Sequence, residues 1–217
     1  MLVATSPTVT IRQAAVSAMD NNVYLLTSRA TGQQVLIDAA NDPAAINHLL
    51  QSAAEDAVQP QLTMIVTTHR HFDHLLALGE MARTTGATLV AGRADVAAIE
   101  QTARVSDVQP VDHGDHLTVG DIELAVIGLR GHTPGGIALA YVEPGQPAYL
   151  FTGDSLFPGG VGATDRDPVR FWALLSDVNT RLFGVFADDA IVLPGHGRST
   201  TIGEERGCLP LWAARGW

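Results

Sequence analysis

Short apolar runs alternate along this chain with polar, glycine-rich breaks, and the period and length of each run predict its element. Residues 8–17, 23–28 and 34–38 read as strands, with a turn at Thr31-Gly32 between the last two. Asp42-Pro43 supplies an N-cap and first turn for an amphipathic helix to about Ala57. The β-branched run 62–67 reads as a buried strand, followed by a helix over 75–84, a strand over 87–91 and a helix over 93–101. Residues 117–119, 122–128, 137–142 and 148–151 form an antiparallel run with turns at Gly120-Asp121 and Pro144-Gly145. Asp167-Pro168 caps a helix to about Phe183, 191–193 is a last strand, and a short helix or coil follows Thr201. Strands, then helix, then βα units, then strands and helix again predict an α/β protein of two sheets packed face to face with helices outside.

Composition narrows the classes. With 217 residues and 46% hydrophobic content, the chain fits one domain over 1–217 with a sizeable core. Its formal charge is −10, from 13 Lys+Arg against 23 Asp+Glu, and no basic run tracks a phosphate backbone, so nucleic acid is not an expected partner. Cys208 is the only cysteine, which excludes an intrachain disulfide and thiolate metal clusters and fits a reducing cytoplasm. Residues 1–16 lack the basic and apolar regions of a signal peptide, and no apolar run reaches membrane-spanning length. The pattern sets no oligomeric state.

The chemistry is concentrated in Thr68-His69-Arg70-His71-Phe72-Asp73-His74, directly after the strand predicted at 62–67. Three further sites share its character: Gly131-His132-Thr133-Pro134-Gly135-Gly136, Thr152-Gly153-Asp154-Ser155 and Pro194-Gly195-His196-Gly197. Each places a ligand-type side chain just past the end of a predicted strand. Imidazole nitrogen with carboxylate oxygen is a donor set for zinc or a similar borderline metal. Five imidazoles (His69, His71, His74, His132, His196) and two carboxylates (Asp73, Asp154) exceed one tetrahedral ion, so two ions sharing a carboxylate are the natural count. A G-x-S-x-G nucleophile elbow is absent from the sequence. The helix predicted from Leu75 points its dipole at Asp73. Asp38 divides evenly between orienting a ligand histidine and ending a strand. His48 reads as a surface histidine, and His113 and His116 as residues of a hairpin turn. Arg70, Arg130, Arg166 and Arg198 lie near the site loops as candidate anion binders, each singly an ordinary solvated arginine. The glycine-rich stretch 157–162 is expected to be a flexible loop over the site, and Phe72, Phe157 and Trp172 are candidate pocket walls, with core packing the favoured role for Trp172.

The series THRHFDH, GHTPGG, TGDSLF and PGHG resembles the metallo-β-lactamase superfamily, and within it the short glyoxalase II-like hydrolases, from Asn21 to Arg206. The resemblance implies an αββα sandwich. It implies one metal ion on His69, His71 and His132, a second on Asp73, His74 and His196, and Asp154 as a bridge, with hydroxide as the other bridge. Zn²⁺ is the expected ion, with Fe or Mn as alternatives, and Asp73 and Asp154 are the expected catalytic carboxylates. The implied activity is hydrolysis of a small thioester. Glyoxalase II proteins with a defined glutathione site carry a further basic helical region, so the resemblance does not name the thiol carrier. Many relatives have a second histidine where Gly136 stands, a position that is not a ligand. The competing readings are an iron persulfide dioxygenase using His69, His132 and Asp154, a β-lactamase, and a non-catalytic metal-binding protein.

Overall fold

The computed structural model describes residues 1–55 and 59–216. The strands are β1 (Leu2–Thr5), β2 (Val9–Val16), β3 (Asn21–Ser28), β4 (Gln33–Ile37), β5 (Gln61–Thr67), β6 (Thr88–Gly92), β7 (Gln109–Val111), β8 (His116–Val119), β9 (Ile122–Gly128), β10 (Ile137–Tyr141), β11 (Tyr149–Gly153), β12 (Leu156–Phe157), β13 (Gly160–Val161), β14 (Ile191–Pro194) and β15 (Thr200–Thr201). The helices are α1 (Pro43–Ser52), α2 (Leu78–Thr85), α3 (Val96–Ala103), α4 (Pro168–Val178), α5 (Ile202–Arg206) and α6 (Leu209–Arg215).

One sheet runs β1 to β7 in chain order, antiparallel through β4 and parallel beyond it, so α1, α2 and α3 are its crossovers. The other has the order β15-β14-β11-β10-β9-β8 and is antiparallel except for β11 beside β14. Strand alternation divides the core into three layers. Tyr24, Leu26 and Val66 meet Val126, Leu139 and Phe151 between the sheets. Leu25, Leu36 and Ile65 turn the other way, onto Ile46, Leu78 and Ile99 of α1, α2 and α3. Ala138, Ala140 and Leu150 pack on Phe171, Leu174 and Trp212 of α4 and α6. This is the α/β sandwich expected, helices outside two facing sheets. No helix among the described residues is long and apolar enough to cross a membrane.

Several elements differ from expectation for physical reasons. The segment after the histidine motif is not helical from Leu75: Leu76 N and Ala77 N donate to Ala40 O and Ala39 O, outside the helix ladder, so α2 starts at Leu78. Asp73 and His74 lie instead in a single 3₁₀ turn, Phe72–His74, and the predicted helix dipole is absent beside Asp73. The glycine-rich stretch is a hairpin, pairing Leu156 with Val161 and Phe157 with Gly160, rather than a loose loop. Helix α1 ends at Ser52 with a 3₁₀ turn to Glu55, and the rest of its predicted span lies outside the described residues. Short β1, β7 and β15 went unpredicted; β7 holds Pro110, which an edge strand accepts. Trp172 is 53% exposed, stacked edge-on against Phe171, and is not a core residue.

Candidate metal centre

The ligand loops leave neighbouring strands at one end of the sandwich: β5 delivers His69 to His74, β9 delivers His132, β11 delivers Asp154 and β14 delivers His196. All seven predicted side chains converge. Three overlapping groups (His69, His71, His132; His69, His74, Asp154; Asp73, His74, His196) each bring one ligand atom per residue within 4.8 Å of the others. Asp154 is central. Its Oδ2 lies 3.9 Å from His69 Nε2, 3.6 Å from His132 Nε2 and 3.5 Å from His196 Nε2, and its Oδ1 lies 3.5 Å from His74 Nε2. Asp73 Oδ2 is 3.2 Å from His196 Nε2 and 3.6 Å from His74 Nε2.

Hydrogen bonding on the far side of four rings fixes which nitrogen faces the centre. His132 Nδ1 donates to Ala163 O at 2.7 Å and His196 Nδ1 to Met19 O at 2.7 Å, because a carbonyl only accepts. His74 Nδ1 donates to Asp38 Oδ2 at 2.9 Å. Thr68 Oγ1 gives its proton to Asp38 Oδ2 at 2.8 Å and so accepts from His69 Nδ1 at 3.0 Å. All four Nε2 atoms therefore face the centre, and each offers it a lone pair whenever its ring is neutral. His74 Nε2 and His196 Nε2 stand 3.1 Å apart, a contact that two lone pairs cannot hold without a cation or proton between them. The buried Nε2 atoms of His69 and His132 and Asp154 Oδ1 have no hydrogen-bond partner, although nearly all buried polar atoms find one. Gly195 shows how tightly the space is reserved, since a Cβ there would stand 2.2 Å from Asp154 Oδ1 and 2.8 Å from His74 Cε1. The donor set fits divalent metal.

Electrostatics agree. Burial, then the neighbouring His74, holds His69 well below the usual imidazole range, leaving its lone pair free. Burial also works against charge on His74, yet Asp38 and Asp154 outweigh it and push its pKa up to about 10. His196 is raised by its hydrogen bond to Asp154. Asp154 is held far below the carboxylate range: burial opposes this, but the neighbouring His196 and His74 prevail. The two carboxylates beside His74 demand positive charge, which a proton or a metal ion supplies. In the metal-free protein a raised histidine pKa contributes stability that is complete below about pH 6.5 and is lost as pH rises toward about 10. His69, shifted the opposite way, acts only as pH falls below 6.5. We expect the melting temperature of chelator-treated protein to drop between pH 7 and 10, and that of metal-loaded protein to hold steady there. Thermal unfolding at matched ionic strength checks this.

Other residues position the ligands without touching the centre. Asp38 is one, taking Thr68 N at 2.7 Å as well as Thr68 Oγ1 and His74. Asn21 Nδ2 donates to Asp73 Oδ2 at 2.9 Å, while Asn22 Nδ2 and Tyr24 Oη hold Pro194 O. Fully buried Asp95 ties the two histidine loops together, accepting from Arg70 N, Gly135 N and Thr133 Oγ1. Asn21 and Asp95 were missed in the sequence; Asn21 opens a strand in a polar pair and Asp95 resembles an ordinary helix cap. Arg130 is committed to Asp177 through its backbone N, Nε and Nη2, and Arg70 Nε lies 3.9 Å from Asp95. Arg166 and Arg198 are exposed. Phe157 lies beside the centre, its ring 6.5 Å from that of His196, while Phe72 is 59% exposed.

The sequence model of the metallo-beta-lactamase superfamily matches residues 17–196, a span that holds all seven candidate ligand residues. This chain belongs to that superfamily. Among its members, a hydroxyacylglutathione hydrolase from Fuscovulum blasticum is 34% identical over 182 residues, covering 82% of this chain and 62% of that protein. The chain thus spans under two thirds of that relative's length. The crystal structure of ETHE1 from Myxococcus xanthus superimposes with a TM-score of 0.75 at 31% identity, covering 94% of this chain and 84% of that one. TTHA1623, solved in a di-iron-bound form, gives a TM-score of 0.71 at 29% identity over 90% of this chain and 96% of that one. The metallo-beta-lactamase fold and its His/Asp clusters, able to bind metal, are therefore established for this chain.

Proposed function

We propose that the chain is a binuclear metal-dependent hydrolase of small thioesters. The observation that carries this reading is the position of Asp154, one carboxylate whose oxygens lie within 3.9 Å of the Nε2 atoms of His69, His132, His74 and His196. On this reading His69, His71 and His132 hold one ion, Asp73, His74 and His196 hold the second, and Asp154 is shared. Zn²⁺ is the first expectation from the nitrogen-rich donor set, and the di-iron form of a relative supports iron as the alternative. Bound ions there supply Lewis acidity for a carbonyl oxygen and acidify water toward a pKa of about 7.

The chain's own groups favour a particular leaving group. Asp38 and Asp95, the buried carboxylates next to the ligands, are each engaged by three donors. Asp73 faces His196 and accepts from Asn21. None is free to give a proton to a departing group, which suits a thiolate better than an amine. The relative's name, hydroxyacylglutathione hydrolase, supports the same class. The lone Cys208 suits a reducing cytoplasm.

The test is a substrate panel on metal-loaded protein: a 2-hydroxyacyl thioester, a β-lactam and a persulfide. We expect thioester turnover to lead and to rise with pH through a limb near neutrality. β-Lactam turnover above thioester turnover would reverse the reading. Sulfite formation from the persulfide with oxygen uptake would replace hydrolysis with the dioxygenase reaction.

A further inference from the structure

The turn that joins β2 to β3 touches one half of the metal centre only. Residues 17–20 lead into Asn21 and Asn22, two buried amides at the start of β3. Asn21 Nδ2 donates to Asp73 Oδ2 at 2.9 Å, the oxygen that also lies 3.2 Å from His196 Nε2 and 3.6 Å from His74 Nε2. The orientation of this amide is set by the turn. Met19 N donates to Ser17 Oγ at 3.0 Å, and the Ser17 hydroxyl donates to Asn21 Oδ1 at 2.6 Å. The carbonyl end of the amide is thereby taken, and its NH₂ end points at Asp73. A carboxylate oxygen carries two lone pairs, so one serves Asn21 and the other remains for an ion between Asp73, His74 and His196.

The same turn holds His196. Met19 O accepts from His196 Nδ1 at 2.7 Å, Gly197 N donates to Asp20 O at 3.2 Å, and Asn22 N donates to Gly195 O at 2.7 Å. Asn22 Nδ2 also holds Pro194 O and Gly197 O, at 2.9 and 2.8 Å. Among the described residues, segment 17–22 makes no hydrogen bond to His69, His71 or His132. Those three have a brace of their own in Asp95, which accepts from Arg70 N at 3.2 Å, Thr133 Oγ1 at 2.5 Å and Gly135 N at 3.0 Å. The two halves of the centre are therefore supported by different parts of the chain. Partners behind a ligand fix its orientation and with it the affinity for the ion.

We infer that Ser17 and Asn21 are positioning residues for the second metal position alone, and that the β2–β3 turn decides whether the chain holds one ion or two. The inference rests on the binuclear reading above and gives it a determinant outside the seven ligands. Without the turn, what remains is the position of His69, His71 and His132 with Asp154 beside it.

The test is a metal titration. Chelator-treated full-length protein is titrated with Zn²⁺ against a chromophoric competitor, and with Co²⁺ followed by its visible absorption. His196→Ala and His71→Ala assign the two steps, the former removing the second and the latter weakening the first. The wild type should take two equivalents. Asn21→Ala should weaken the second step about 10- to 100-fold, the scale of losing a partner behind a ligand, with the first step little changed. Ser17 is exposed and stands at φ 66°, a conformation that glycine adopts freely, so Ser17→Gly removes the hydroxyl and leaves the turn intact. It should act in the same direction by a smaller factor, and it decides the matter if Asn21→Ala does not fold. Asp95→Asn should show the reverse pattern. The absorption of singly loaded Co²⁺ protein should be the same in Asn21→Ala as in His196→Ala. Equal affinities at both steps in the wild type, Asn21→Ala and Ser17→Gly would overturn the inference and leave the binuclear reading standing. So would a parallel weakening of both steps, the mark of a general scaffold. A wild type that takes a single equivalent would discard the binuclear reading, and the second position with it.

Discussion

Asp154→Ala protein is expected to bind one metal ion instead of two and to lose at least about a hundredfold in kcat, the scale of losing metal activation of water. The reason lies in four distances. Asp154 stands within 3.9 Å of the Nε2 atoms of His69, His74, His132 and His196, so its charge serves both donor sets. Without it, the two positions hold five imidazoles and only Asp73 to offset two dications. Loss of a ligand used by one ion alone, such as His71, should be milder. Metal content of dialysed protein beside steady-state kinetics checks this, and wild-type turnover with both ions retained would remove Asp154 from the bridge.

The second large effect is expected at a residue that touches no metal. Asp38→Asn should weaken metal binding by about 10- to 100-fold, the usual consequence of losing a carboxylate behind a ligand histidine. Asp38 sets the tautomer of His74 directly and that of His69 through Thr68. It does so from a left-handed backbone, φ 59°, which asparagine tolerates, so the substitution removes the charge without forcing the turn. His74 should also lose its raised pKa, and the drop in stability expected between pH 7 and 10 for the metal-free protein should shrink. Competition with a chromophoric chelator measures the affinity, and pH-dependent melting measures the proton. Unchanged affinity would mean that the histidine rings are held by packing alone.

The ligands were legible because each follows an apolar run short enough to be a strand, and strands of a two-sheet sandwich end together at its edge. His69, Asp154 and His196 needed only that local pattern. Residues whose roles depend on tertiary contact were not legible. Asp95 reads locally as the start of α3, but its carboxylate faces the His132 loop instead of its own helix. Asn21 lies in a polar pair that breaks the apolar pattern of β3, yet the strand continues because Asn21 and Asn22 pair with Val16 and Ala15 of β2. The boundary at Leu75 failed for a similar reason: Leu75, Ala77 and Leu78 are all buried as in a helix, but the N–H groups of Leu76 and Ala77 are claimed by the carbonyls of Ala40 and Ala39. The hairpin at 156–161 was hidden by its glycines, which suggested looseness although Gly159 makes the turn at φ 84° and its N–H is held by Glu205. Trp172 shows the converse, an aromatic residue on an amphipathic helix that faces solvent.

Two ions sharing Asp154 carry the proposed function, and elemental analysis of protein purified without added metal tests that binuclear reading directly. It predicts two equivalents of divalent metal per chain, zinc or iron, falling toward one in His196→Ala and in Asp154→Ala. A single equivalent of iron in the wild type, unchanged in His196→Ala, would contradict it.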